Sequence, residues 1–586
     1  MGRTGIPNMT RRDWMASVAA PALAQGSRRP NVVLILTDDQ GYGDLSLHGN
    51  PYLKTPNLDG LARQGVEMTR FYVSPVCAPT RSSLLTGRYH LRCGVFGVTA
   101  GQETMRTEET TLAEALRGAG YRTALIGKWH LGEHYPYVPH AQGFDEFVGF
   151  RTGHWTNYFD TTLERNGKPH PTRGYITDVF TDEALRFVER NQRQPFFLYL
   201  AYNAPHAPFQ APERYLAPYK TPSLPEQVAA VYAMVANLDE NAGRLLAGLD
   251  RLGLSQDTIV IFLTDNGPNG QRFNAGLRAA KGSVYEGGVR VPFFIRWPGR
   301  LQAGRRVDTM AAHIDIYPTL LEMCGAARPK GLPIDGLSIL RLLKGPAPDW
   351  PDRMLFTHRE GRDNPSSTYP GTVRTGRFNL VNGKELYEIP SDPGERNNLA
   401  AKHPEKVKEL RAAYEAWYRA ASQECGFSRK PIPAGYAQEN PVVLPAPQSY
   451  FHGNLKFFGG AGWAHDWITG WGNAEDYVHW DIEVVRAGRY EVTLRYLCPK
   501  AGLGAKVAVS AGASSVEAAI TEPTSTTPRP ARDVIPRTET REMDWGALPL
   551  GVLALRSGQT QLTVKALSKP GSAVMDLKSV SLRRLE

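Results

Sequence analysis

Apolar residues fall along this 586-residue chain in two different rhythms. Up to about residue 345 they come as short continuous runs, at 32–36, 123–127, 196–202, 258–264 and 289–297. Stretches with helical spacing lie between them, at 112–118, 177–191 and 225–252. A run that is apolar at every position predicts a strand buried on both faces, and strands alternating with helices predict a mostly parallel sheet sandwiched by helices. This α/β region spans 30–345 and ends at the break Gly345-Pro346-Ala347-Pro348. Over 353–425, strand-like pieces at 354–357, 378–381 and 385–388 precede a helix at 403–421, which predicts a small α+β subdomain. The segment 426–449, with Pro431, Pro433, Pro441, Pro445 and Pro447, reads as a Pro-rich linker. From 450 to 586 apolar and polar residues alternate, at 477–482, 488–496, 505–509, 561–566 and 580–582, and predict a β-sandwich.

The first residues stand apart. Thr10-Arg11-Arg12-Asp13-Trp14-Met15, a weakly apolar run over 16–22 and Ala22-Leu23-Ala24 have the basic start, apolar middle and Ala-x-Ala end of an export signal over 1–25. The paired arginines resemble a twin-arginine address, so the expected location is periplasmic or extracellular. Cleavage near Ala24 removes Arg3, Arg11, Arg12 and Asp13 and takes the formal charge from +10 to +8, which suits a polyanionic partner. No dense Lys/Arg tract or stacking motif argues for nucleic acid, and no apolar run is long enough to cross a bilayer. The five cysteines, Cys77, Cys93, Cys324, Cys425 and Cys498, include no Cys-x-x-Cys pair, which argues against zinc or a redox dithiol. An odd count in an exported chain leaves one cysteine for another task, and its neighbours single out Cys77.

Four predicted strands run directly into reactive side chains. These are Asp38-Asp39 after 32–37, Lys128-Trp129-His130 after 123–127, Asn203-Ala204-Pro205-His206 after 196–202, and Asp265-Asn266 after 258–264. Ligands of open parallel sheets bind outside the carboxyl ends of the strands, so four such ends gather acids, a lysine and histidines at one edge. An Asp at a strand end also serves as a helix N-cap. Three carboxylates and an amide oxygen together fit a hard cation better, Ca²⁺ or else Mg²⁺. Taken alone, Cys77 would read as a buried free thiol.

Cys77-Ala78-Pro79-Thr80-Arg81, continuing to Thr86-Gly87-Arg88, resembles the Cys-x-Pro-(Ser/Thr)-Arg motif of the formylglycine-dependent type I sulfatases of the alkaline phosphatase superfamily. Asp38-Asp39-Gln40-Gly41, Gly127-Lys128-Trp129-His130, Asp265-Asn266-Gly267 and Ala280-Lys281-Gly282 match further landmarks of that family in order, over about 30–425. The resemblance implies a sulfate monoester hydrolase acting on a sulfated carbohydrate. It also implies that a formylglycine-generating enzyme converts Cys77 to formylglycine, whose hydrated aldehyde is the nucleophile. Asp38, Asp39, Asp265, Asn266 and the modified Cys77 would hold the cation, and Arg81 would stabilise the hydrate. Lys128, Lys281 and His206 would grip sulfate, with His206 protonating the leaving alcohol and His130 acting as base. The same residues leave open a phosphonate or phosphate ester hydrolase of that superfamily, and an inactive exported glycan-binding protein.

Outside this set the reading is plainer. His90, His134, His140, His154 and His313 fall near the site segments and could line the substrate pocket, but read better as satisfied surface or core histidines. Arg92, Arg151 and Arg272 could hold further acidic groups of a polyanionic glycan, but read better as solvated surface. The stretch 487–496 resembles strands of carbohydrate-binding jelly-roll modules, and Trp463, Trp467, Trp471, Trp480 and Trp545 could stack on sugars, although filling a sandwich core explains them better.

Overall fold

The computed structural model describes residues 29–360, 364–524 and 526–586. The expected export signal therefore lies outside the described residues. Among those described, no helix is long and apolar enough to cross a membrane.

The core of the first domain is a set of strands named here β1 (Asn31–Thr37), β2 (Arg122–Lys128), β3 (Glu146–Phe150), β4 (Phe196–Ala201), β5 (Thr258–Thr264) and β6 (Phe293–Arg296). They lie in the order β6-β5-β1-β4-β2-β3 within a ten-stranded sheet. From β5 to β3 every pairing is parallel, and β6 runs antiparallel to β5. Alternation along each strand feeds two cores. Val33, Ile35, Leu198, Leu200, Val260 and Phe262 pack on one face, where helices α2 (Ile176–Asn191) and α3 (Glu226–Arg251) lie. Val32, Leu34, Leu36, Phe197, Tyr199 and Ile261 pack on the other, against Ala78, Leu84 and Leu85 of helix α1 (Cys77–Thr86). This double burial is why the strands read as unbroken apolar runs.

One expected strand is divided. Within 289–297, Arg290–Val291 joins a separate three-stranded sheet, while Phe293–Arg296 forms β6. Pro292 between them has no N–H for a ladder.

The α+β subdomain is a four-stranded antiparallel sheet, Leu355–His358, Gly371–Arg374, Phe378–Val381 and Glu385–Glu388, with helix α4 (Pro404–Cys425) packed on it. Val407, Leu410, Tyr414, Trp417 and Ala421, spaced three and four apart, form the helix stripe that meets this sheet.

The last domain is a sandwich of two six-stranded sheets. Residues 426–449 belong to it rather than serving as a linker. Ile432–Ala434 pairs with Tyr477–Val484, and Val442–Pro445 pairs with Asp576–Arg584. Sheet margins tolerate proline because an N–H facing outward has no ladder bond to lose. Trp471 and Trp480 are fully buried core residues whose indole N–H groups donate to Asp476 O and Pro445 O. Before Gly546–Leu555 the chain leaves the sandwich and crosses onto the first domain. There Val534 N–H donates to Phe209 O (3.0 Å), Gln210 Nε2 to Asp533 Oδ1 (2.8 Å) and Arg537 Nη1 to Thr156 O (2.6 Å).

Candidate active site

The four neighbouring strands β5-β1-β4-β2 end together, and the backbone ties their ends. Asp38 N–H donates to Ala204 O and Asp265 N–H to Thr37 O, each at 3.1 Å. Two residues here hold left-handed backbone without being glycine, Asp39 (φ 66°) and His130 (φ 64°). Such strain persists only where the surroundings enforce it, and it concentrates at functional sites. Close packing sets Gly127 too: with φ 119°, a Cβ would sit 1.9 Å from Ala201 O of β4. Cys77 opens α1, a helix buried along its whole length, and no side chain caps its first turn. The positive end of the helix therefore faces the carboxylates.

The charged groups interlock. Lys128 Nζ lies 2.5 Å from Asp38 Oδ2, and Lys281 Nζ 2.5 Å from Asp39 Oδ1. Arg81, one helical turn beyond Cys77, donates from Nε (3.1 Å) and Nη2 (2.8 Å) to Asp265 Oδ2 and from Nη1 to Lys128 O (3.0 Å). Asn266 Nδ2 donates to Asp39 Oδ1 (2.8 Å), and His206 Nε2 stands 3.7 Å from Asp39 Oδ2. Ligand atoms of Asp38, Cys77 and Asp265 lie within 4.8 Å of one another, as do those of Asp38, Asp39 and His206. The structure thus brings all ten expected site residues to one edge. Arg81 differs in its engagement: its guanidinium bonds Asp265 and the Lys128 carbonyl and lies 3.5 Å from Asp38 Oδ2.

The donor set fits a hard cation. Asp38 Oδ1, Asp39 Oδ2 and Asn266 Oδ1 are buried with no hydrogen-bond partner among the described residues. Buried oxygens are nearly always partnered, so three adjacent orphans mark a place for a positive ligand. Electrostatics agree. Burial and the Asp38 charge push Asp265 up to about 7 despite Arg81. Burial also opposes ionisation of Asp38, but Lys128, His206, Arg81 and Lys281 outweigh it and hold that carboxyl well below the usual range. Burial raises the Cys77 thiol even with Lys128 and Lys281 nearby, so the unmodified side chain is a neutral thiol and a poor nucleophile. His130 is kept neutral by burial and Lys128, and its Nε2–H donates to Val98 O (2.9 Å).

Several bystanders are structural. Trp129 is fully buried, with its indole N–H on Tyr137 O. Arg92, Arg151 and Arg272, expected as solvated surface, are in ion pairs with Asp335 and Glu424, Glu164 and Glu439, and Asp44. The five cysteines are free thiols. His90, His134 and His313 have partners in Glu360, Gln448 and Ser74.

Sequence reasoning missed Asn203 and His465, and it left His154 out of the catalytic set. Asn203 is buried at the end of β4 with both amide atoms unpartnered among the described residues. Its place in the Asn203-Ala204-Pro205-His206 stretch was the available signal. His154 and His465, from different domains, meet beside His206; His154 lay near the site segments, whereas His465 had no local signal to announce it.

The sulfatase family model matches residues 30–326, and the model described as N-sulphoglucosamine sulphohydrolase, C-terminal, matches 279–417. Arylsulfatase A of Homo sapiens is 31% identical over 458 residues, covering 67% of this chain and 88% of that protein. N-acetylgalactosamine-6-sulfatase of Canis lupus familiaris is 33% identical over 379 residues, covering 58% and 71%. Among solved structures, Ps i-CgsB in complex with k-i-k-neocarrahexaose superposes with a TM-score of 0.63 at 30% identity, covering 69% of this chain and 95% of that one.

Proposed function

The chain belongs to the sulfatase family and is a sulfuric ester hydrolase, and from that premise we propose that it removes sulfate from a sulfated carbohydrate, using formylglycine made from Cys77 and a bound Ca²⁺ or Mg²⁺. The observation that supports this best is the trio of unpartnered oxygens on Asp38, Asp39 and Asn266, with Asp38 also grouped with Cys77 and Asp265. Similarity to a structure solved with k-i-k-neocarrahexaose and to an N-acetylgalactosamine-6-sulfatase supports the carbohydrate. Asp38, Asp39, Asp265 and Asn266, with the oxygen that replaces the Cys77 sulfur, would hold the cation, which supplies charge neutralisation and polarises a sulfate oxygen. Formylglycine supplies a geminal diol, with one hydroxyl to attack sulfur and a second whose deprotonation lets sulfate leave, which a serine lacks. A formylglycine-generating enzyme is the maturation partner this requires, and the N-terminal signal fits an exported enzyme.

The chain's own groups do the rest. With the carboxylates committed to a cation, Lys128 and Lys281 turn their ammonium groups to the sulfate oxygens and stabilise the charge that builds there. Arg81 fixes Asp265 and the Lys128 carbonyl. His130 spends its Nε2–H on Val98 O, so its Nδ1, buried and unpartnered among the described residues, is a free base. His206 spends Nδ1–H on Ala207 O (2.6 Å), so it protonates the leaving alcohol from Nε2 only as the imidazolium; burial lowers its pKa and disfavours that form, while the Asp39 carboxylate 3.7 Å from Nε2 favours it.

The test is matured enzyme against a panel of sulfated oligosaccharides, with released sulfate measured and the Cys77 peptide weighed. Sulfate release that tracks replacement of sulfur and two hydrogens by one oxygen at Cys77 is the expected result. Turnover of phosphate or phosphonate analogues alone would overturn the reading. In single turnover, His206→Ala slows alcohol release, whereas His130→Ala releases alcohol and withholds sulfate. The reverse pattern would contradict the two roles.

A further inference from the structure

His154 stands beside the catalytic edge and has no part in the steps above. It is 5% exposed, and its ring lies parallel to that of His206 (8° between planes, centroids 6.2 Å apart). Its Nε2 is buried without a hydrogen-bond partner among the described residues. Burial, reinforced by His465, His206, Lys128 and His130 around it, holds the ring well below the usual histidine range, so it is neutral. A buried, neutral imidazole nitrogen with nothing to bond is costly unless a ligand completes it.

What fixes His154 comes from the sandwich domain. His465 Nε2–H donates to His154 O (3.1 Å) and lies 3.3 Å from Thr152 Oγ1, which donates to the same carbonyl (2.8 Å). The His465 ring meets His154 and Trp155 edge-on, with centroids 5.5 and 5.0 Å away. Burial and nearby Lys578 push His465 down to about 3, so it stays neutral and its Nε2–H stays a donor. The loop that carries it is firmly built. His465 has left-handed φ (66°), and its carbonyl accepts from Thr540 Oγ1 (2.9 Å) and from Lys578 Nζ. The Asp466 carboxylate accepts the N–H groups of Gly459, Gly462 and Trp467, and Thr99 of the first domain donates to Gly462 O (2.9 Å). A strained, non-glycine residue wedged across a domain interface points to a task there.

We infer that His154 contacts the substrate, with Nε2 hydrogen-bonding a hydroxyl of the sugar that carries the sulfate, and that His465 is a positioning residue through which the sandwich holds it in place. The sulfate itself is served by Lys128, Lys281 and the cation, so a neutral imidazole adds little to anion binding. A sugar hydroxyl both donates and accepts, and so matches either tautomer of His154. The sandwich then acts as part of the substrate site rather than as a separate glycan-binding module. This inference rests on the sulfated-carbohydrate reading above.

The experiment uses full-length, matured enzyme with His154→Ala, His465→Ala, His465→Gln and the double alanine variant. Each is assayed on a sulfated oligosaccharide that the parent turns over and on 4-nitrophenyl sulfate, which has no sugar. Each alanine variant is expected to lose roughly 10- to 100-fold in kcat/KM on the oligosaccharide and less than about 3-fold on the aryl ester. The double variant should be no worse than His154→Ala, because the two act as one unit. His465→Gln, whose amide N–H can replace the lost donor, should recover most of the activity. Equal losses on both substrates, additive losses, or no loss would overturn the inference while leaving the proposed function intact. A parent enzyme that cleaves the aryl ester and no sulfated oligosaccharide would overturn the carbohydrate reading and this inference with it.

Discussion

Two of the buried charge clusters among the described residues are finished differently. Where the α+β subdomain meets the first domain, Glu286 accepts from Arg374 Nε (3.1 Å) and Tyr72 OH (3.2 Å), while Arg374 also donates to Thr357 Oγ1 and Val284 O. Glu395 accepts from the Glu286 N–H and from Asn379 Nδ2, both at 2.8 Å. Every charged oxygen and nitrogen of that trio has a partner. At the strand ends, equally buried, oxygens of Asp38, Asp39 and Asn266 have none among the described residues. A closed network is a strut between domains, whereas an open one is shaped for something that arrives later. Burial and charge alone do not separate the two; unfilled hydrogen-bonding capacity does.

Substitutions should divide along that line. Cys77→Ala should lower turnover by about 10⁵-fold or more while thermal stability holds, because it removes the reacting group from a site that does not brace the fold. Glu286→Ala should do the opposite, costing about 3–5 kcal/mol in a denaturant titration by stranding buried Arg374. Unchanged stability would show that the closed cluster is no strut. Lys281→Ala should cost about 10²- to 10³-fold in kcat, as loss of one cationic contact to developing charge, with a Tm near that of the parent. The smallest effect is a pH slope. Burial and the charge of Glu286 push Glu395 up to about 7 from its ordinary 4.5. A raised carboxyl contributes stability that is full below about pH 4.5 and is lost as pH rises through about 7. Glu395→Gln should therefore flatten the decline of Tm between about pH 5 and pH 8, and an unchanged slope would remove this group from the account.

The open cluster was legible because its pieces are local strings. Strand rhythm gave the parallel sheet, strand ends gave Asp38, Asp39, Lys128, Asp265 and Asn266, and one motif gave Cys77 and Arg81. What stayed hidden depends on contacts between distant residues. The Arg81–Asp265 fork spans 184 residues and the His465–His154 bond spans 311. Neither leaves a periodic or compositional trace. Proline misled in both directions. It suggested a linker over 426–449, where the sandwich accepts it at strand margins, and it gave no warning that Pro292 would split one apolar run between two sheets. The tryptophans of the last domain divide as well, with Trp467, Trp471 and Trp480 buried and Trp463 39% exposed.

The most direct test of the open cluster is calorimetric titration of the chelator-stripped, full-length protein with Ca²⁺ and, separately, Mg²⁺. The expected result is one saturable site for at least one of the two ions, a rise in Tm on saturation, and loss of both in Asp39→Asn. Absence of binding by either ion, or binding that survives Asp39→Asn unchanged, would contradict the claim that these oxygens are kept open for a cation.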